Sequence, residues 1–292
     1  MYTQFFGNFL LSKGYITNEQ LFDALKEKAQ KHAKLGTLAI HSGLMTAAEV
    51  DSVIVEQTHQ DKKFGELTIE MGYLTDEQVK DLLNIQSPDF LLLGQILLDK
   101  GIIDNTTLEK SIHDYRNENA ISDLDMVLED KDSINHLIGH FFANTGIDPS
   151  AIDIMYLELL FNSFIRFVGD DYTPLSAEIC DSFSADCMVR QDIKGSYAIS
   201  TYIGMSQTTA INFASRYVNE SFSVYDEYVQ ASLDDFLNLN NGLFLVNCSN
   251  DQALELTLTA PEHLDGQTRS FNKACKLKLL YPFGAIHFII EF

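Results

Sequence analysis

A run of nine residues in the last third of the chain combines acids, asparagines and a glycine within an apolar segment. Asp234–Gly242 reads Asp-Asp-Phe-Leu-Asn-Leu-Asn-Asn-Gly, and the apolar segment around it covers about residues 225–248. If this segment is a helix, Asp235 and Asn238 lie three positions apart and share one face, with Gly242 another turn along. A carboxylate able to pair with a cation would then stand beside a carboxamide able to orient a water molecule.

Length and charge restrict the classes of function open to the chain. With 292 residues it is long enough for two domains, and its formal charge of -22 opposes binding to nucleic acid or to anionic membrane surfaces. No window approaches the roughly 18 uninterrupted apolar residues of a membrane span. The four cysteines are scattered, which predicts neither a zinc site nor a disulfide framework, so we expect a reducing cytoplasm. His136 and His140 share a predicted helix face without a third ligand, and we expect no metal there.

Glycines recur with a fixed period in the N-terminal part of the chain. Gly7, Gly36, Gly65 and Gly94 are 29 residues apart, and a second glycine follows each of them seven residues later, at Gly14, Gly43, Gly72 and Gly101. The second series is placed where a short helix must stop, in the position of a left-handed C-cap. Capping-box pairs follow at Thr17 and Gln20, Thr46 and Glu49, and Thr75 and Gln78. The repeat predicts an all-α domain over residues 1–116, built as a bundle of four helical hairpins.

The two middle units share a motif that begins with a basic residue. The second unit reads Lys34-Leu35-Gly36, then Gly43 and Gln57, and the third reads Lys63-Phe64-Gly65, then Gly72 and Gln86. This pattern resembles the N-terminal domain of type II secretion ATPases in its MshEN form, which binds cyclic di-GMP. The resemblance implies a cyclic di-GMP ligand on these ten residues, although lysine replaces the arginine of the family motif in both units. The alternative is a helical scaffold that keeps the fold without the ligand.

The pattern changes after a connector predicted over residues 117–150. From residue 151 to 292 the chain predicts a helix over 153–168, strands over 184–190 and 196–203, and a helix that Ser206 caps and that ends near Val218. A long helix over about 225–246 carries the opening motif. A strand over 253–259 and a hairpin over 276–292 complete an α+β domain with helices on one face of a sheet.

The element order, together with Asp-x-x-Asn-x-x-x-Gly on the long helix, resembles the CheX-like branch of the CheC/CheX/FliY phosphatases. These enzymes remove phosphate from the aspartyl group of a response-regulator receiver domain. The resemblance implies that Asp235 holds the active-site lysine of the receiver, that Asn238 aligns a water for in-line attack, and that the receiver supplies Mg²⁺. It also implies a homodimer, since some relatives pair through sheet edges.

Two alternatives to a phosphatase remain open at this point. Asp235 is one methylene shorter than the glutamate of the family motif, which shortens its reach by about 1.5 Å. The domain could therefore act as a non-catalytic adaptor that docks a receiver or pairs with itself. In the other alternative, Asp234 and Asp235 form a solvated helix face, and residues 238–241 form a polar helix surface. The apolar residues Phe236, Leu237, Leu239, Leu243 and Phe244 are expected in the core.

Overall fold

The computed structural model describes residues 2–27, 33–84, 89–118, 138, 142 and 145–292. Most of the predicted connector lies outside these residues, as do Gln86, His136 and His140. The chain divides into two compact units, residues 2–128 and 129–292, and this division falls within the predicted connector. Among the described residues, no helix combines the length and the apolar character that crossing a membrane requires.

Helices account for the regular structure in the described part of the N-terminal unit, with two helices in each predicted repeat. Their bounds are Tyr2–Ser12 (α1), Asn18–Glu27 (α2), Leu35–His41 (α3), Ala47–Gln57 (α4), Phe64–Glu70 (α5), Asp76–Asn84 (α6), Asp89–Asp99 (α7) and Asn105–Glu118 (α8). The predicted capping pairs are present: Thr46 and Glu49 form a complete capping box, and the backbone N–H of Gln78 donates to the Thr75 hydroxyl at 3.2 Å. The local sequence thus sets where the second helix of each pair begins.

The two glycine series have different structural roles. Those that end the first helix of each pair adopt positive φ angles between 64° and 76°, a conformation that costs glycine little. The other series, which includes Gly36 and Gly94, lies within the first helix of each pair and lets the two helices of the pair pack closely. A Cβ atom at Gly36 would lie 3.0 Å from Val50, and one at Gly94 would lie 2.8 Å from Leu108. Helix α3 also packs against α6 and α7, and α4 packs against α5 and α8.

The C-terminal unit combines three helices with antiparallel strands. The helices are Ala151–Phe167 (α9), Gln207–Tyr217 (α10) and Glu227–Gln252 (α11). The strands are Thr173–Ile179 (β1), Ser182–Phe183 (β2), Cys187–Gly195 (β3), Ile199–Met205 (β4), Leu256–Leu258 (β5), Glu262–His263 (β6), Arg269–Ser270 (β7), Ala274–Tyr281 (β8) and Gly284–Glu291 (β9). The main sheet has the order β1-β8-β9-β4-β3-β5, and β6 also pairs with β3.

The two faces of the main sheet are covered differently. Helix α11 packs against β3 and β5, while α10 packs against β9, so the helices lie on one face. Alternate residues of β3 and β4 point to this face, including Gln191 and Thr201, which are directly paired. Side chains on the opposite face form a second apolar cluster around Met188, Tyr202 and Ile289. The small β2–β7 sheet contributes Phe183 to that cluster.

Several element boundaries differ from the sequence predictions. Strand β1 was not predicted, and it carries Pro174 and a bulge between Leu175 and Glu178 that breaks the alternation of buried and exposed residues. Helix α11 continues past residue 246 to Gln252, and the prediction ended it too early because residues 249–252 are polar and exposed and carry no apolar pattern. It ends where Ala253 adopts a left-handed conformation with φ 52°, so the next strand starts only at residue 256.

Candidate functional site

The opening motif lies on α11, which begins at a well-formed N-cap. The carboxylate of Asp226 accepts hydrogen bonds from the backbone N–H groups of Tyr228 and Val229, both at 3.1 Å. Asp235 and Asn238 are exposed on the outer side of this helix, as their spacing predicts. Phe236, Leu237 and Phe244 are fully buried beneath them, while Leu239 is half-buried. Leu243 was expected in the core and is instead 38% exposed, because it lies on the outer side of the helix.

Asp235 has a specific partner on the neighbouring helix. The hydroxyl of Tyr217, the last residue of α10, donates to Oδ2 of Asp235 at 2.6 Å. Burial of the ring raises the pKa of Tyr217, and the hydrogen bond to Asp235 adds to the shift, so the phenol stays protonated and acts as a donor. The Oδ1 atom has no partner in the described part of the chain. One carboxylate oxygen is thus held by the protein and the other faces outward.

Asn238 is held from below by a residue of the sheet. The Nε2 atom of Gln191 on β3 donates to Oδ1 of Asn238 at 2.8 Å and to the backbone carbonyl of Thr259 at 2.9 Å. Gln191 is fully buried, whereas Asn238 is exposed. The exposed carboxamide therefore stands on a buried hydrogen-bonded support, which the local sequence around Asn238 does not reveal.

The support of Asn238 continues into the core as a chain of polar side chains. Asn241 donates from Nδ2 to Oε1 of Gln191 at 2.8 Å and to the Thr201 hydroxyl at 2.9 Å. The Tyr156 hydroxyl donates to Oδ1 of Asn241 at 2.7 Å and accepts from Nδ2 of Asn240 at 3.2 Å. Complete burial raises the pKa of Tyr156, which keeps its hydroxyl protonated.

This network corrects one sequence alternative. Asn240 and Asn241 are fully buried, so residues 238–241 do not form a polar helix surface. The adjacent acid, Asp234, is also engaged, because its carboxylate lies 2.9 Å from Nε2 of His263. Asp234 and Asp235 thus face different partners on the two sides of the helix. Of the two, Asp235 is the acid that shares the outer face with Asn238.

A separate cavity lies in the N-terminal unit. It has a volume of about 640 Å³, and five residues of the predicted cyclic di-GMP set line it: Lys34, Leu35, Gly36, Gln57 and Phe64. The lining does not include Gly43, Lys63, Gly65 or Gly72. Gly43 and Gly72 form helix-ending turns, and Gly65 packs against Val79. Gln86 lies outside the described residues.

The charges around this cavity are mostly negative. Lys34 is paired with Asp99 at 2.8 Å, and Asp51 and Asp104 also line the cavity. The backbone carrying Lys34 is fixed by Gln95, whose Oε1 accepts from the Lys34 N–H at 3.0 Å. The single lysine of the lining is thus already neutralised, and an anionic ligand would meet the remaining carboxylates.

No group of three or more metal-ligating side chains is found among the described residues. The four cysteines are buried and free, and burial raises the pKa of Cys187 to about 11 and that of Cys275 to about 12. Such thiols remain protonated near neutral pH and are poor nucleophiles.

Comparison with known proteins gives matches among solved structures alone. No protein-family model and no curated protein matches the chain. The similar structures include the chemotaxis protein CheX from Desulfovibrio desulfuricans, with 13% identity over 48% of this chain and 98% of the other, at a TM-score of 0.42. A CheC-like superfamily protein from Shewanella sp. PV-4 has 15% identity over 47% and 93%, at 0.41. A chain of a CheX–CheY–BeF3–Mg complex from Borrelia burgdorferi has 18% identity over 47% and 94%, at 0.37.

Proposed function

We propose that the C-terminal domain binds a phosphorylated response-regulator receiver and hydrolyses its aspartyl phosphate. The observation that carries this proposal is the pair on α11. Asp235 and Asn238 are both exposed on one face of this helix, each with one side-chain oxygen held by the protein. A catalytic carboxamide must be positioned before the partner arrives, and the support beneath Asn238 provides this.

Each residue of the pair has a distinct task in the proposed reaction. The free Oδ1 of Asp235 pairs with the lysine of the receiver and fixes the orientation of the complex. Asn238 aligns a water molecule opposite the aspartyl oxygen. The water oxygen forms a bond to phosphorus as the bond to the aspartyl oxygen breaks, which gives inorganic phosphate and a free carboxylate. Such a reaction needs positioning and charge stabilisation rather than a covalent intermediate, and the Mg²⁺ on the receiver supplies the latter.

The second candidate for this domain is docking without turnover. It is favoured by the shorter acid, since a misplacement of about 1 Å can cost about 10²-fold in rate. Tyr217 opposes that effect, because its hydrogen bond limits the movement of the Asp235 carboxylate. The two candidates predict the same complex and differ in the rate of phosphate release.

The test is a dephosphorylation time course on phosphorylated receivers from the same organism. We expect wild type to accelerate decay of the phosphoryl group, and Asn238→Ala to abolish the acceleration while binding persists. Asn250→Ala is the matched control, because Asn250 is an exposed asparagine at the end of the same helix. Wild type could bind a phosphorylated receiver without accelerating the loss of its phosphoryl group. That result would reject the phosphatase proposal in favour of a non-catalytic adaptor.

We also propose that the N-terminal unit binds a small molecule in the cavity between α3, α4 and α7. Cyclic di-GMP is the ligand that the sequence resemblance implies, and the cavity volume together with the five shared residues favours it. The carboxylates of Asp51, Asp99 and Asp104 oppose its phosphates. We therefore expect Asp99→Asn to raise affinity several-fold, because it frees Lys34 and removes one negative charge.

Calorimetry with cyclic di-GMP tests this second proposal. We expect binding by wild type, stronger binding by Asp99→Asn and loss of binding when Lys34 and Lys63 are both replaced by alanine. Asp76→Asn is the control, since this acid pairs with Lys80 on the surface rather than in the cavity. Binding that is unchanged by the double lysine replacement would show that the nucleotide binds elsewhere. If neither wild type nor Asp99→Asn binds cyclic di-GMP, the unit is a helical scaffold without this ligand.

A further inference from the structure

The orientation of the Asn238 carboxamide is determined by the polar chain beneath it. A backbone carbonyl can only accept a hydrogen bond, so the group that Gln191 directs to the carbonyl of Thr259 must be its NH₂ group. The same NH₂ group carries the second hydrogen that points at Asn238. Asn238 must therefore meet Gln191 with its oxygen, and its own NH₂ group is directed to the outside.

The other end of Gln191 is fixed in the same sense. Its Oε1 atom accepts from Nδ2 of Asn241, and Asn241 in turn accepts from the Tyr156 hydroxyl through Oδ1. Flipping Gln191 would place its carbonyl against the carbonyl of Thr259 and its amide against the amide of Asn241. Two such mismatches in a fully buried site would each cost about 1–3 kcal/mol. Gln191 thus has one allowed orientation, and this orientation in turn fixes that of the Asn238 carboxamide.

We propose that Gln191 is a positioning residue that holds Asn238 with its NH₂ group toward the partner protein. This inference rests on the proposed phosphatase function and adds the orientation in which Asn238 acts. In that orientation, Nδ2 donates to the transferred phosphoryl group, and the second lone pair of Oδ1 accepts from the attacking water. The reverse orientation would set a carbonyl oxygen against the phosphoryl oxygens, which is repulsive. Holding one orientation therefore selects the productive contact before the receiver binds.

Two measurements test the role of Gln191. The first is kinetic and uses Gln191→Met, which keeps the length of the side chain and removes its polar atoms. We expect kcat to fall about 10²-fold with KM nearly unchanged, because Gln191 is fully buried and does not touch the partner. The control is Ser163→Ala, which removes a buried hydrogen bond to Asn240 at the far end of the network. Its kcat should stay within about twofold of wild type, although it loses about 1 kcal/mol of unfolding free energy.

The second measurement does not depend on activity or on the stability of Gln191→Met. In wild type, the Asn238 side-chain NH₂ group, identified by its loss from the spectrum of Asn238→Ala, should have an NMR order parameter near that of rigid backbone, about 0.85. A value below about 0.6 would overturn the inference, since the side chain would then be free. The exposed Asn250 should show such a low value in the same spectrum.

The outcomes separate this inference from the proposed function. An active wild type whose Gln191→Met variant keeps its kcat overturns the role of Gln191 and leaves the phosphatase standing. An inactive wild type removes the phosphatase, and the catalytic role of Gln191 with it, while the order parameter still decides whether Asn238 is held. A fall in kcat that Ser163→Ala reproduces would show general loss of stability, which also overturns the inference.

Discussion

The hydroxyl of Tyr217 and the carboxylate of Asp235 lie 2.6 Å apart, and their hydrogen bond joins the last residue of α10 to the outer face of α11. Because only Oδ2 of Asp235 is engaged, the bond orients the carboxylate without using its capacity to pair with a cation. The shorter acid is thus held by a partner that lies far from it in sequence.

Replacing Tyr217 by phenylalanine should loosen this carboxylate. We expect Tyr217→Phe to weaken binding of a phosphorylated receiver about three- to tenfold, since the net value of one such hydrogen bond is about 0.5–1.5 kcal/mol. Binding can be followed by titrating the receiver against the labelled protein. Tyr228→Phe is the control, because Tyr228 is 65% exposed on α11. Equal affinities for wild type and Tyr217→Phe would show that the bond has no part in docking.

Removing the charge of Asp235 should weaken receiver binding more than removing the charge of Asp234. We expect Asp235→Asn to weaken receiver binding about tenfold and to reduce its salt dependence, because a charged contact with the partner is lost. Asp234→Asn removes the same charge one residue away, where the carboxylate faces His263. Its affinity should stay within about threefold of wild type. Affinities that fall equally in both variants would indicate a general effect of net charge.

We expect Gly242 to lower the stability of the protein and to leave room for the receiver. A Cβ atom added there meets nothing within 4 Å, so Gly242→Ala should raise the unfolding free energy by about 1 kcal/mol. The added methyl group would project one turn beyond Asn238, on the side that the partner approaches. We expect slower dephosphorylation together with a higher melting temperature. Asn250→Ala improves helix propensity away from the site, and its rate should match wild type. A Gly242→Ala protein that is more stable and equally active would show that Gly242 is not part of the docking face.

Acid should weaken the C-terminal unit through His287. Burial lowers the pKa of His287 to about 4, and the nearby Lys278 and Lys276 add to the shift, while Glu178 opposes it. The unfolded chain binds this proton near pH 6.5, so the stabilisation is complete above that pH and is lost as the pH falls toward 4. Between pH 7 and pH 5, wild type should lose about 1–2 kcal/mol more unfolding free energy than His287→Gln. Denaturant unfolding at both pH values measures the difference, and parallel losses would contradict it.

Local patterns predicted much of the secondary structure. The capping residue Ser206 correctly predicted the start of α10, because a capping signal acts within a few residues. The strands predicted over 184–190 and 196–203 correspond to β3 and β4, but β3 begins at Cys187 and continues through Gly195, where it pairs with β5. Strand β1 could not be predicted, since Pro174 and the bulge remove its period-two pattern. The long helix was predicted too short because its last turns are polar.

Only the exposed residues of the candidate site could be predicted from the sequence. Asp235 and Asn238 follow from helical spacing, but Gln191 and Tyr217 reach them through the tertiary fold, from 47 and 18 residues away. One signal for Gln191 was present in the sequence. Thr201 is a polar residue within one predicted strand and Gln191 directly follows the other, and the structure pairs the two at inward positions, where buried polar groups need partners.

The proline and the bulge of β1 also affect how two copies of this protein could meet. A free strand edge is a template for adding another strand, and repeated addition leads to fibres. Pro174 offers no N–H group, the bulge interrupts the ladder, and the opposite edge consists of the three residues of β5 and the two of β6. Both edges of the main sheet are therefore poor templates for the addition of a further strand.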